Sequence, residues 1–199
     1  MLDLGKIVKI AQSAVAVGLI AASVNVTSVI KQSNAEEVYM IRGFMNVFSE
    51  GMNQMTQKLK ARGIRARVIS NGAWEGIAQD IIKRSKRKKV SYPIVIAGHS
   101  LGGVEAPSFA NTLGRAGIPV ALVIGLDPGF RQPPPFKKGA RRVINYKIDS
   151  GKHYRRAGGF KGKITTVNVS KYGVDHVGID KHPKVQKLVI NQIRKTVRK

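Results

Sequence analysis

The segment from Pro93 to Gly103 restricts the fold of this chain more than any other. An apolar run of strand length ends here in the pattern Gly-x-Ser-x-Gly, and residues 104–114 continue with a helix-like composition. The segment therefore predicts a strand, a tight turn that carries Ser100, and a helix. On such a turn the serine hydroxyl projects clear of the backbone, because glycines on either side let the helix pass close to the strand.

A glycine-rich turn between a strand and a helix is compatible with more than one role. It can present Ser100 as a nucleophile, with the backbone N–H of Leu101 at the helix start facing a substrate oxyanion. It can also simply pack, or cradle a phosphate. The phosphate-binding P-loop is excluded, because that pattern needs Gly-Lys followed by Ser or Thr, and Gly102 and Gly103 stand here instead. The order of strand, turn and helix favours the nucleophile.

Strand-like and helix-like segments alternate along the rest of the chain. Apolar runs predict strands at residues 37–41, 94–97, 119–126, 143–148 and 164–169, and an alternation of apolar and basic residues predicts another at 64–69. Helix-like patterns cover residues 51–62, 73–83, 104–114 and 183–197. This alternation predicts an α/β fold, a three-layer sandwich in which a mostly parallel sheet of about six strands has helices on both faces.

The N-terminal segment carries a long uncharged stretch. Lys6 and Lys9 precede residues 10–30, which contain no charged side chain, and small residues follow at 33–35. A basic start, an apolar middle and small residues are typical of an export signal. The stretch is also long enough to cross a bilayer as an uncleaved anchor.

This N-terminal segment divides the chain into two parts. Residues 1–35 are interpreted as a signal peptide or membrane anchor, and residues 36–199 as the folded domain, which would then be exported or held outside the cytoplasm. Polar residues inside the apolar stretch, such as Gln12 and Asn25, are also compatible with an ordinary N-terminal helix.

The charge of the chain is strongly positive. There are 35 Lys and Arg against 11 Asp and Glu, a net charge of +24. Such a charge attracts polyanions, so an anionic membrane surface or envelope polymer is a candidate partner. The basic residues form separate runs, and aromatic residues are not interleaved with them as single-strand binding requires, so specific nucleic-acid binding is not expected. With no cysteine, disulfides and thiolate zinc sites are excluded.

A nucleophilic serine needs a base and a carboxylate that holds the base in the correct tautomer. In a parallel sheet these groups come from loops at the carboxyl ends of the strands. Of the four histidines, His176 fits best, because it lies between the last predicted strand and the last predicted helix. His99 is the neighbour of Ser100 and cannot easily fold back onto its hydroxyl. His153 lies in a basic loop and His182 at a helix start.

Two aspartates end predicted strands between Ser100 and His176. Asp127 closes one strand and Asp149 closes the next, so either can be the acid of the triad, with Asp127 preferred. Either can instead cap a turn, as aspartate often does. Asp175 ranks third, because it adjoins His176 and neighbouring side chains point apart in an extended loop.

An acyl-transfer site also needs two N–H donors for the oxyanion. Leu101 supplies one donor at the start of the helix. Gly43 and Phe44 follow the first predicted strand, so Phe44 is the second predicted donor, unless the segment is only a strand-ending turn.

The turn that carries Ser100 between a strand and a helix is called the elbow below. With this elbow, with Gly43-Phe44 after an early strand, and with Asp127 and His176 in order, the chain resembles the α/β-hydrolase superfamily. It is most similar to small bacterial lipase-like or thioesterase-like members, over residues 37–197. The resemblance implies a minimal α/β-hydrolase fold and hydrolysis of a small ester or thioester through an acyl-enzyme, with no metal or cofactor. The chain is short, and no long insertion follows Asp127 that could form a lid, which favours an open, shallow site.

The positive charge supports a different kind of function. A hydrolase scaffold with weak or no activity could act as a cationic binding protein for anionic envelope polymers, lipids or nucleic acid. In that case the loss of the Ser100 hydroxyl would leave the biological effect intact, and affinity would fall steeply with salt.

Overall fold

A computed structural model describes residues 36–44 and 49–198. Its strands are β1 (Glu37–Ile41), β2 (Ala66–Ile69), β3 (Ile94–His99), β4 (Val120–Leu126), β5 (Arg142–Lys147) and β6 (Lys163–Asn168). Its longer helices are α1 (Glu50–Lys60), α2 (Trp74–Lys86), α3 (Leu101–Arg115) and α4 (Pro183–Val197). The signal peptide or anchor predicted at 1–35 lies outside the described residues. Among the described helices none is long and apolar enough to span a membrane.

The six strands form one sheet in the order β2-β1-β3-β4-β5-β6, and every neighbouring pair is parallel. All carboxyl ends therefore meet at one edge. The chain moves from β1 outward to β2 and then returns to the other side of β1 for β3, so the strand order reverses between β1 and β3. Open α/β sheets bind ligands at such a reversal, because the loops that follow the two strands diverge there and leave a crevice.

Two apolar cores cover the two faces of the sheet. Successive residues of β1 alternate between them: Val38 packs with the residues of α1 and α4, and Tyr39 packs with those of α2 and α3. All five residues of β1 are buried, which explains why its sequence is a continuous run rather than an apolar–polar alternation. The predicted three-layer α/β sandwich is confirmed.

Most predicted elements differ from the observed bounds by one to three residues at an end, and two of these differences have a clear local cause. The strand predicted from Ile64 begins at Ala66, because the Ile64 N–H instead donates to the Leu59 carbonyl at 3.1 Å in the turn that ends α1. Gly63, with φ of 73°, makes that turn. The helix predicted to end at residue 83 continues to Lys86. Its basic last turn is favourable at the negative end of the helix dipole.

Candidate active site

Ser100 lies on a sharp turn between β3 and α3. Its φ and ψ are 53° and −118°, a conformation that non-glycine residues rarely adopt. The turn is closed by glycines: a Cβ at Gly98 would overlap the Gly102 carbonyl, and one at Gly102 would overlap the Arg42 and Ile41 carbonyls. The local sequence folds in this way because only glycine permits such close contact between the helix, β3 and β1.

Three predicted residues lie together at the carboxyl edge of the sheet. The Ser100 Oγ is 2.9 Å from the His176 Nε2, and the His176 Nδ1 is 2.6 Å from the Asp127 Oδ2. Because the carboxylate accepts, His176 Nδ1 carries the proton and its Nε2 can accept the Ser100 hydroxyl hydrogen. Asp127 is buried, and its Oδ1 accepts the Ile148 N–H at 3.2 Å. The arrangement can transfer a proton from the Ser100 hydroxyl to an imidazole of fixed tautomer.

The other predicted candidates lie elsewhere. Asp149 is exposed and accepts from the Asn168 side chain, while its own N–H donates to the Ser170 hydroxyl. Hydrogen bonds from Asn168 and from Ser170 lower the pKa of its carboxyl. The Asp175 carboxylate accepts the Gly178 N–H. The structure thus places Asp127, and neither of the other two aspartates, against His176.

Two of the other histidines are also occupied elsewhere. The His182 ring stacks on Tyr172 with ring centroids 5.8 Å apart. His153 is exposed, and its backbone carbonyl accepts from Gln132. Neither contact involves Ser100.

The two predicted oxyanion donors border Ser100. Leu101 is the first residue of α3, where the N–H groups have no partner within the helix. A Cβ at Gly43 would lie 3.0 Å from the Ser100 Cβ, so the Gly43–Phe44 backbone passes directly beside the serine. Phe44 lines the same cavity as Ser100 and His176. Whether both N–H groups bind an oxyanion stays a prediction.

An apolar cavity of about 200 Å³ opens at Ser100. Its lining consists of Gly43, Phe44, Ser49, His99, Ser100, Phe130, His176 and Val177. Phe44 and Phe130 are 49% and 71% exposed, and their ring centroids are 5.6 Å apart, so two aromatic rings flank the entrance. A larger cavity, of about 790 Å³, lies around Pro119 and Arg141 at the opposite edge of the sheet. The smaller one is the candidate substrate cavity, because it holds the groups that can react.

The sequence does not predict the contact between Ser49 and His99, two buried polar residues behind Ser100. The His99 Nδ1 is 2.8 Å from the Ser49 hydroxyl, and the His99 Nε2 is 2.8 Å from the His176 backbone oxygen. Burial lowers the pKa of His99 to about 4. Asp180 is fully buried close by, and burial raises the pKa of its carboxyl to about 6. No sequence pattern identifies this pair, because 50 residues separate Ser49 from His99.

Metal-ligating side chains are not clustered in the described part of the chain: no group of three or more His, Cys, Asp or Glu there could hold a metal ion.

Comparisons with known proteins agree with this architecture. A model of the lipase (class 3) family matches residues 17–120, just over half of the 199 residues. The match includes the Gly43–Phe44 loop and the Ser100 turn, whereas Asp127 and His176 lie beyond it. A search of the curated proteins gives no match.

Solved structures are similar to this chain at low sequence identity, and one of them, Est1E, shares its fold. Est1E from Butyrivibrio proteoclasticus has a TM-score of 0.54 at 14% identity, over 84% of this chain and 90% of that chain. The NocB thioesterase domain, in covalent complex with a fluorophosphonate nocardicin G analogue, has a TM-score of 0.49 at 12% identity, over 83% of this chain and 96% of that chain. With its elbow, its six-stranded parallel sheet and the family match, this chain belongs to the class 3 lipase family and has the α/β-hydrolase fold.

Proposed function

We propose that this protein is a serine hydrolase that cleaves a carboxylic ester or thioester through an acyl-enzyme intermediate. The observation that carries the proposal is the alignment of the Ser100 hydroxyl, the His176 imidazole and the Asp127 carboxylate, with distances of 2.9 and 2.6 Å. Membership of the class 3 lipase family supports an ester as the substrate. The fold shared with the esterase Est1E is compatible with it.

The first half of the reaction follows from the positions of these groups. The Ser100 Oγ attacks the acyl carbon while His176 Nε2 takes the hydroxyl proton, and the carbonyl oxygen becomes an oxyanion facing the N–H groups of Leu101 and Phe44. The Asp127 carboxylate holds the His176 tautomer and stabilises the imidazolium. The bond to the leaving group then breaks, His176 donates its proton to the departing alcohol or thiol, and the acyl group stays on Ser100.

The second half repeats these steps with water. His176 takes a proton from a water molecule, whose oxygen attacks the acyl-Ser100 carbon. Collapse of this second tetrahedral intermediate returns the proton to the Ser100 oxygen and releases the carboxylic acid.

The cavity supports a small apolar acyl group. Phe44, Phe130 and Val177 give it an apolar wall, and its volume is about 200 Å³, below the range of about 300–1,000 Å³ typical of drug-sized ligand sites. Residues 127–141, which connect β4 to β5, contain no helix in the described chain, and Phe136 anchors them in the core. This segment therefore does not cover the cavity as a helical lid, which supports substrates that enter an open site.

The test uses p-nitrophenyl esters of graded acyl length and a fluorophosphonate probe. Ser100→Ala should lower ester turnover by about 10⁴- to 10⁶-fold and abolish labelling by the probe. Ser108→Ala, a second serine-to-alanine change in α3, is the matched control and should keep both. A folded wild-type protein whose Ser100 is not labelled contradicts the proposal.

A cationic binding protein is the second candidate, supported by the net charge of +24. The cavities around Arg141 are lined by several Lys and Arg residues and by no Asp or Glu. If the protein is exported, as its N-terminal sequence predicts, it would meet anionic lipids and envelope polymers there. This candidate predicts that Ser100→Ala retains binding to vesicles containing phosphatidylglycerol, and that the affinity falls steeply with added salt. Binding that is insensitive to salt would count against it.

A further inference from the structure

Two loops at the active-site edge and the end of strand β3 are joined by one chain of hydrogen bonds that does not include the Ser100 hydroxyl. The Gly43 N–H donates to the Ser49 Oγ at 2.7 Å. The Ser49 Oγ lies 2.8 Å from the His99 Nδ1, and the His99 Nε2 lies 2.8 Å from the His176 carbonyl oxygen. This series of hydrogen bonds therefore runs from the loop after β1, through the last residue of β3, to the loop that carries His176.

Only one tautomer of His99 satisfies every hydrogen bond between Gly43 and the His176 carbonyl. A carbonyl oxygen can only accept, so the His99 Nε2 must carry the hydrogen that bonds the His176 carbonyl. In the neutral ring the Nδ1 is then unprotonated and accepts the Ser49 O–H. Burial, which lowers the pKa of His99 to about 4, keeps this ring neutral at neutral pH. Each donor in the chain thus has one acceptor.

These contacts explain why a polar ring stands at a fully buried strand end. His99 is 1% exposed, and burying an imidazole there costs free energy unless its nitrogens are hydrogen-bonded. One nitrogen bonds the backbone of His176, the proposed base. The other bonds the Ser49 hydroxyl. Ser49 in turn accepts the N–H of Gly43, the residue before Phe44, which is the predicted oxyanion donor. Both nitrogens are therefore used on loops that the proposed reaction needs in fixed positions.

We propose that His99 and Ser49 are positioning residues, which hold the His176 loop and the Gly43–Phe44 loop in register with Ser100. This inference rests on the proposed hydrolase function and goes beyond it, because neither side chain exchanges a proton with the substrate. Rigid loops matter here because a displacement of about 1 Å in a reacting group can cost about 10²-fold in rate.

Ester hydrolysis by Ser49→Ala, His99→Leu and the double variant tests the proposal. Each single variant should lower kcat by about 10²-fold with little change in KM, because the reacting groups are misplaced while Phe44, Phe130 and Val177, the apolar wall of the cavity, are kept. The double variant should lose less than the product of the two single losses, because the two residues act through one shared bond. His99→Gln, whose amide can accept from Ser49 and donate to the His176 carbonyl, should recover part of the activity lost in His99→Leu.

Two comparisons keep the result interpretable. His153→Leu removes an exposed histidine and should leave kcat unchanged, and thermal unfolding identifies any variant that is merely less stable. Unchanged kcat in both single variants, losses that multiply in the double variant, or a His99→Gln no better than His99→Leu would overturn the positioning role. A wild-type protein that neither hydrolyses esters nor reacts with a fluorophosphonate would overturn the proposed function itself, and the positioning role with it.

Discussion

The Asp127 side chain has a partner for each of its oxygens. Its Oδ2 accepts from His176 and its Oδ1 from the Ile148 N–H, while its own N–H donates to the Tyr146 carbonyl at 2.7 Å. Its φ of 43° turns the chain at the end of β4 so that the carboxylate points into the site. Asp149 lies two residues after the end of the next strand, β5, and has equivalent chemistry, but its carboxylate lies in solvent. Backbone contacts with β5 and the residue after it therefore decide which aspartate can orient the histidine.

Replacing each carboxylate by an amide tests which of these two aspartates takes part in ester hydrolysis. Asp127→Asn should lower kcat by about 10⁴-fold, because the amide favours the wrong tautomer of His176 while the geometry is kept. Asp149→Asn, the matched control, should leave ester turnover within about twofold, since its partners Asn168 and Ser170 are at the surface. Steady-state kinetics on one p-nitrophenyl ester measures both. Equal losses in the two variants would mean that Asp127 has no special role.

At the scale of the elements, helix α1 begins in a very narrow space. A Cβ at Gly51 would overlap the backbone carbonyl of Asp180, so only glycine lets α1 start beside the segment before α4. Helix α2 also contains a glycine, Gly76, but that residue is exposed and a Cβ there would have no neighbour within 4 Å. The same residue type is thus required in one helix and only tolerated in the other.

Alanine at these two positions should have opposite effects on stability. Gly51→Ala should lower the free energy of unfolding by about 1–3 kcal/mol, because rigid backbone must shift to admit the methyl group. Gly76→Ala should raise it by about 0.5–1 kcal/mol, because alanine loses less backbone entropy in a helix interior. Urea denaturation followed by circular dichroism gives both values. A Gly51→Ala protein as stable as the wild type would show that α1 can move away from Asp180.

For the whole molecule, the buried side chains of Glu37, His99 and Asp180 contribute to how stability depends on pH. Burial alone would raise the pKa of Glu37, but hydrogen bonds from Arg84, Tyr39 and the Ser91 N–H outweigh it and lower the pKa from 4.5 to about 2. Its contribution to stability is therefore present above pH 4.5 and is lost as the pH falls toward 2. This carboxylate anchors the start of β1 to α2 through a pair of hydrogen bonds to Arg84.

The other two groups oppose each other. The pKa of His99 is lowered from 6.5 to about 4, so its contribution is present above pH 6.5 and is lost as the pH falls toward 4. The pKa of the Asp180 carboxyl is raised from 3.8 to about 6, so its contribution is present below pH 3.8 and is lost as the pH rises through 6. Acidification between these limits therefore weakens one contribution while it strengthens the other.

We expect the free energy of unfolding to change little between pH 6.5 and 4.5 and to fall steeply below 4.5, where Glu37 binds a proton in the unfolded chain but stays ionised in the folded one. The loss of stability at low pH becomes larger because protonation adds to a net charge that is already +24 at pH 7, and this increases charge repulsion in the folded protein. Asp180→Asn should expose the His99 contribution as a loss of stability that begins near pH 6.5. Urea denaturation at a series of pH values measures both proteins, and identical profiles would contradict this account of Asp180.

Much of the fold was predictable because its signals are local. The Gly98, Ser100 and Gly102 spacing predicts the elbow, and continuous apolar runs such as the one at 120–126 predict buried parallel strands. The predicted bounds were wrong only at element ends, where Ile64 takes part in a helix-ending turn and a basic segment extends α2 to Lys86. Helix ends depend on capping contacts, and periodicity does not show them.

The sequence by itself determined that a serine stands on a tight turn in a parallel α/β sheet, because glycine spacing and apolar runs act over a few neighbouring residues. Only the tertiary structure decided that Asp127 rather than Asp149 contacts His176, and that His99 bonds Ser49 and the His176 carbonyl. Those contacts join residues 49, 50 and 77 positions apart. Their distances are set by how the strands pair and where the loops between them are packed, which a linear pattern of residues does not contain.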